Sequence, residues 1–221
     1  MEPKEGKFDF SWLQRAVKIL QTHNIAVILG TPSAAPPPWL TQRYPEVMMV
    51  NDHGMTLATG ARRFTCPTNK TYRRLSLAVA TEMAHAFAST PGVVGWQIDN
   101  EYNTMSFDPD AQAQFHTWLQ RRYNTIDQLN QVWTTGYNNQ TYSTFDEVRL
   151  VNGTGDNNPG LWLDSKRFIT DTLRDYQKVQ LDALRKYADP RQKITTNMMG
   201  WFDLYDHYTV SRDLDIIGWD N

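Results

Sequence analysis

The chain has 221 residues, with 22 Lys and Arg against 24 Asp and Glu, and its net charge of −2 leaves no basic stripe for nucleic acid and no acidic tail. No apolar run approaches the ~20 residues that a bilayer span needs, so no membrane partner is expected. One cysteine, Cys66, excludes an internal disulfide.

The N-terminal stretch Met1 to Gly6 is polar and does not read as a signal peptide, which with the single cysteine points to a reducing, cytoplasmic setting. Composition does not shift along the chain, so one domain over 1–221 is expected. Eight Trp and ten Tyr are a high aromatic load. Such rings stack on sugars but also fill cores, and each one taken singly reads first as core.

Taken in chain order, Ser11 to His23 has Trp12, Ala16, Ile19, Leu20 and His23 at helical spacing, with Asp9 or Ser11 as the cap. Ile25 to Leu29 then reads as a strand buried on both faces, of the kind found in parallel sheets. The proline-rich segment Thr31 to Leu40 reads as neither helix nor central strand. It is either a rigid surface turn or a stiff pocket wall with Trp39 packed beside it. A helix follows over Thr71 to Ser89, then a second buried strand at Val93 to Trp96. Pro109 to Tyr123 and Leu163 to Ala188 are helices, the latter stopping before Asp189-Pro190. The polar stretch Asn152 to Gly160 joins two helices as a loop, and Ile194 to Asn197 and Leu214 to Gly218 are more polar strands. Helix alternating with strand implies right-handed βαβ units and a mostly parallel sheet.

The richest motif is Gln97-Ile98-Asp99-Asn100-Glu101-Tyr102, which places carboxylates where the second strand ends. Active-site groups of a (β/α)₈ barrel collect at strand C-termini. Thr31 to Leu40, Asp99 to Tyr102 and Trp219-Asp220-Asn221 all follow strands. Glu101 reads either as a proton-donating acid or as a strand-end carboxylate that caps a turn. Asp99, two residues away, would face the same side of an ideal strand and share one wall with it. Asp220 is the better-placed second carboxylate, and Glu5 reads as solvated. The five histidines share no metal-ligand spacing.

Four blocks carry a family resemblance: Glu2 to Phe10, Gly30 to Leu40, Gly95 to Tyr102 and Gly218 to Asn221. In this order they resemble successive blocks of the family 42 glycoside hydrolases, which are bacterial β-galactosidases. The resemblance implies an α/β fold, a (β/α)₈ TIM barrel of which strands three to six, about half, are present. It implies a retaining hydrolase that releases terminal β-D-galactose from β-galactosides. Glu101 matches the general acid/base, Asn100 the neighbouring sugar-binding Asn, and Arg62 an arginine that contacts the sugar, with Arg63 easily confused with it. Arg62, Arg63, Arg73 and Arg74 also read as a merely solvated basic face.

A retaining mechanism needs two carboxyl groups about 5–5.5 Å apart. The family's nucleophile belongs on a seventh strand, beyond Asn221, and the family pattern gives Asp220 a supporting role only. The isolated chain is therefore expected to be inactive and, with open sheet edges, unstable or associated. Many members bind zinc through four cysteines, but one thiol cannot make such a site, so no metal or other cofactor is expected and Cys66 is expected to be buried and inert. Asn138 stands where members often carry a Trp at the sugar subsite. The family is often trimeric, which makes a homo-oligomer the expected full-length form. Two other readings stay open: a retaining hydrolase of the same clan acting on another β-linked sugar, and a non-catalytic fragment that binds carbohydrate or assembles with another chain.

Overall fold

The structure, a computed structural model, describes residues 1–60, 62–103, 105–153 and 157–220. Asn221 and part of the loop before Pro159 lie outside the described residues, as does the side chain of Asn138.

Helix α1 (Ser11–Thr22) leads into strand β1 (Val27–Gly30). Asp9 accepts from the Ser11 amide at 2.9 Å, while the cap position itself is Phe10. After β1 the chain forms a short helix, α2 (Pro38–Arg43), against the expectation of no helix there. Proline fits the first helical position because its missing N–H has no partner there in any case. Helix α3 (Lys70–Phe87) begins where the Asn69 side chain accepts from the Tyr72 amide. It delivers the chain to β2 (Val93–Gln97).

Helices α4 (Pro109–Tyr123) and α5 (Ile126–Trp133) follow. Asp108, accepting from the Asp110 and Ala111 amides, caps the first of them. The long α6 (Pro159–Tyr187) starts four residues before the expected Leu163, because Asn158 accepts from the Gly160 and Leu161 amides. Strand β3 (Lys193–Thr195) and β4 (Asn197–Met198) are separated only by Thr196, and a short α7 (His207–Ser211) precedes β5 (Gly218–Trp219). The last strand lies later and is shorter than the expected Leu214 to Gly218, because Asp215 and Ile216 both donate backbone N–H groups to Ile194 and bend the approach to it.

All the strand pairs are parallel: β1 with β2, β2 with β3, and β4 with β5. Sequence neighbours are spatial neighbours, as a barrel wall requires. At Gly95 a Cβ would lie 2.6 Å from the Lys193 carbonyl oxygen, so only glycine lets β2 and β3 approach this closely.

Helices cover one face of this wall. Val27, Leu29, Val93, Trp96 and Ile194 pack with Val17 of α1, Met83 and Phe87 of α3, and Leu181 and Leu184 of α6. The expectation of strands buried on both faces does not hold, since Ile28 is 54% and Val94 47% exposed. Side chains alternate along a strand, and no described element covers the face opposite the helices at these positions. A second core joins α4, α5 and α6 beneath the strand ends, around Tyr102, Phe115, Leu129, Phe168 and Tyr176.

Candidate active site

The backbone leaves β2 abruptly. Asp99 and Glu101 take φ values of 53° and 41°, in the left-handed region that L-residues rarely adopt. The turn reverses the expectation that Asp99 and Glu101 share one wall. Asp99 is 1% exposed and turns inward, whereas the Glu101 side chain is 19% exposed and turns to the mouth of the wall. Each carboxylate meets a different arginine. Arg62 Nη2 lies 2.7 Å from Glu101 Oε2, and Arg63 pairs with Asp99.

Asp99 is held by more than its arginine. The Ser33 hydroxyl donates to Oδ2 at 2.6 Å, the Tyr176 hydroxyl to the same oxygen at 2.8 Å, and the Asn100 amide to Oδ1 at 2.7 Å. Its own amide donates to Thr31 Oγ1 at 2.8 Å. Burial first, and the Asp99 charge second, push the Tyr176 and Tyr102 hydroxyls well above the ordinary tyrosine range and Tyr72 up to about 12. These phenols therefore stay protonated at neutral pH. Burial is the largest single influence on Arg63 and disfavours its charge, but Asp99 together with Tyr102, Tyr72 and Tyr176 outweighs it and the net shift is upward.

Asn100 stands between the two carboxylates. Its Oδ1 accepts from Asn197 Nδ2 at 3.2 Å, while its own Nδ2 is buried with no hydrogen-bond partner. A buried donor of this kind is costly unless a ligand acceptor completes it. Asn197, at the start of β4, organises the neighbourhood. It accepts from Gln97 Nε2 at 3.0 Å and from the Glu101 amide at 3.2 Å, and it donates to Asp220 Oδ2 at 2.7 Å. Sequence reasoning missed Asn197. An amide directly after the Thr195-Thr196 strand end carries the same signal as Asn100 after β2.

The remaining candidates separate. Glu5 is not solvated: Arg43 lies 2.8 Å and Arg74 3.4 Å from its carboxylate, and the Tyr44 hydroxyl donates to it at 3.0 Å. The four arginines do not form one basic face, because Arg73 donates to the Pro67 and Thr172 carbonyls while Arg62, Arg63 and Arg74 meet three different carboxylates. Trp39 packs against the second core and donates Nε1 to the Glu2 carbonyl at 2.7 Å.

Cys66 is buried, with its thiol 2.7 Å from Thr68 Oγ1 and donating to Asp108 Oδ2 at 2.9 Å. Burial, then the Asp108 charge, push the thiol up to about 12. A cysteine ligates zinc only as a thiolate, and a Cys₄ site needs three more thiols where this sulfur meets Thr68 and Asp108, so the residues present do not fit the family's four-cysteine zinc site. Among the described residues no cluster of His, Cys, Asp and Glu has the makings of a metal site.

The side chains gathered at the strand C-termini are therefore an acid, an unpartnered amide donor and a guanidinium, a set suited to gripping hydroxyls and moving a proton. The model of the glycoside hydrolase family 42 β-galactosidases matches residues 1–221. The chain belongs to that family. The β-galactosidase of Thermus thermophilus is 36% identical over 226 residues, covering 100% of this chain and 35% of the relative. The cold-adapted β-galactosidase of Rahnella sp. R3 superposes with a TM-score of 0.94 at 32% identity, covering 100% of this chain and 32% of that one. The enzyme of the Antarctic haloarchaeon Halorubrum lacusprofundi gives 0.92 at 34% identity, with 100% and 34% covered. The chain thus spans about a third of the length of the curated family 42 relatives it matches, and its α/β structure is part of a (β/α)₈ barrel.

Proposed function

We propose that residues 1–221 form one partial catalytic domain of a retaining β-galactosidase, acting on terminal β-D-galactosides, with Glu101 as its general acid/base. The observation that carries this reading is the grouping of Glu101, Asn100 and Arg62 at the C-terminal end of β2. Arg62 lies 2.7 Å from Glu101, and the buried Asn100 Nδ2 is free to donate to a sugar hydroxyl. In this reading Asn100 and Arg62 hold the galactose. Glu101 protonates the departing glycosidic oxygen and later takes a proton from the attacking water.

The second carboxylate is the test of any retaining mechanism. Asp99 is committed to Arg63, Ser33 and Tyr176, and Asp220 accepts from Asn197. Asp99 is thereby buried and committed, and the family resemblance gives Asp220 a supporting role rather than that of nucleophile. We assign the nucleophile to chain outside these residues, which makes the isolated 221-residue chain inactive. The complete protein is proposed to be a homo-oligomer, a trimer by family resemblance, working in the cytoplasm without a cofactor. No helix among the described residues is long and apolar enough to cross a membrane.

The experiment is an assay of the complete polypeptide on a chromogenic β-galactoside, with β-glucoside and β-fucoside arms and with Glu101→Gln alongside. Turnover of an unactivated galactoside should fall by about 10²–10⁴-fold in Glu101→Gln. Full activity of that variant would remove Glu101 from the acid/base role, and preference for another sugar would overturn the galactoside assignment.

A further inference from the structure

We propose that Arg63 and Asp99 are positioning residues, whose buried ion pair sets the turn that presents Glu101 and Asn100. This rests on the reading of Glu101 as proton donor. Three non-glycine residues in left-handed backbone conformations converge here: Arg63 at φ 66°, Asp99 at 53° and Glu101 at 41°. Such conformations persist only where the surroundings over-determine them.

The pair supplies that determination from both sides. Asp99 reaches forward, because its Oδ1 accepts the backbone amide of Asn100. It reaches back through Ser33 and Tyr176 into the β1 loop and α6. Arg63 is fixed by its amide, which donates to the Ala34 carbonyl at 3.0 Å, and by its guanidinium, which lies 4.9 Å from the centre of the Tyr102 ring. Tyr102 directly follows Glu101, so the arginine holds the far side of the same turn. The loop that Arg63 anchors is also the loop that carries Arg62 onto Glu101.

Stability alone does not account for the arrangement. A buried ion pair can often be replaced by apolar groups of similar size with no loss of stability, so its presence is weak evidence of a stabilising role. Its role here is geometric. A carboxylic acid displaced by about 1 Å from its working position loses on the order of 10² in rate.

The test uses the complete polypeptide and two substrates, methyl β-D-galactopyranoside and dinitrophenyl β-D-galactopyranoside. The first needs its leaving oxygen protonated and the second does not. The double variant Arg63→Met/Asp99→Asn removes both charges together. Its kcat/KM on the methyl galactoside should fall about 100-fold, and on the dinitrophenyl galactoside by less than about tenfold. Arg63→Lys, which keeps the charge but not the fork, should show the same imbalance in weaker form, and it decides the matter if the double variant does not fold. Equal losses on both substrates, or none, overturn the positioning role. Glu101→Gln run in parallel separates the two ideas. If it shows no such imbalance, the acid/base reading fails and this inference with it. If it alone shows the imbalance, only the positioning role fails.

Discussion

Arg62 holds Glu101 through a single guanidinium nitrogen, 2.7 Å from Oε2, and its side chain is otherwise about half exposed to solvent. On the proposed function, a bound galactoside would compete with Glu101 for this fork of donors, since its hydroxyls accept where the carboxylate does. Arg62→Ala removes a charge-assisted hydrogen bond of about 1.5–3 kcal/mol before solvent screening, and with the side chain half exposed about half of that survives, so kcat/KM should fall about threefold to tenfold. The loss should appear mainly as a raised KM in steady-state kinetics of the complete polypeptide. Arg62→Lys should not restore it, because a point charge lacks the planar fork. Unchanged KM would assign Arg62 to Glu101 alone.

Asn197 joins three strand ends, and its removal tests how far the site depends on that junction. Asn197→Ala leaves Asp220 Oδ2 without a donor and the Glu101 amide without an acceptor, while Gln97 Nε2 keeps the Asp99 carbonyl at 3.2 Å and Asn100 Oδ1 at 3.5 Å. Each buried polar group left unpaired costs about 1–3 kcal/mol, and water will re-satisfy some of them at this half-open mouth. The expected outcome is a net destabilisation of about 1–3 kcal/mol in denaturant unfolding, with a weaker affinity for galactose. Parent-like stability and affinity together would show that Asn197 is incidental.

The backbone plan was readable because its signals are local. Val27 to Leu29 and Val93 to Trp96 announce themselves as apolar runs, and Asp108-Pro109 marks the start of α4 to the residue. Helices α2, α5 and α7 were not anticipated. Each is only five to eight residues long and two of them start among turn-forming residues. Glu101, Asn100 and Arg62 were legible through a sequence pattern, and the structure brings the first and third into contact. The Arg63–Asp99 pair was not legible. It joins two distant segments through left-handed backbone at Arg63 and Asp99, and nothing in those residue types signals a positive φ. The full burial of Asp99 likewise depends on Ser33 and Tyr176, which come from other elements.

Cys66 should behave as a closed thiol. With its pKa pushed up to about 12, it stays protonated in the folded protein at pH 8, and burial denies reagents access. In the unfolded chain it titrates near its ordinary value of about 8.5. Between that value and about 12 the unfolded state binds fewer protons than the folded one, so this group's contribution to stability is full below that window and falls as pH rises through it. Iodoacetamide labelling followed by mass spectrometry of the Cys66 peptide should show no modification at pH 8 without denaturant and complete modification in guanidinium. Rapid labelling of the native protein would contradict the burial.

Asp164 ties α4, α5 and α6 together from inside the second core. Its carboxylate is buried and accepts from the Tyr123 hydroxyl, from Trp133 Nε1 at 3.1 Å and from Arg167 Nη1 at 2.9 Å, with Arg122 Nε 3.3 Å away. Removing it strands two kinds of donor with different consequences. Arg122 and Arg167 are roughly 40% exposed and regain water, so they add little. Trp133 Nε1 retains only the Tyr123 hydroxyl, at 3.0 Å, and that hydroxyl keeps Arg122 beside it but loses its acceptor. Asp164→Ala should therefore destabilise by about 2–4 kcal/mol, the cost of under-satisfied buried donors plus a small cavity. Asp164→Asn, which keeps an acceptor oxygen, should lose about half as much. Urea unfolding followed by tryptophan fluorescence reads both, and equal losses for the two variants would show that the charge, rather than the acceptor geometry, holds the three helices.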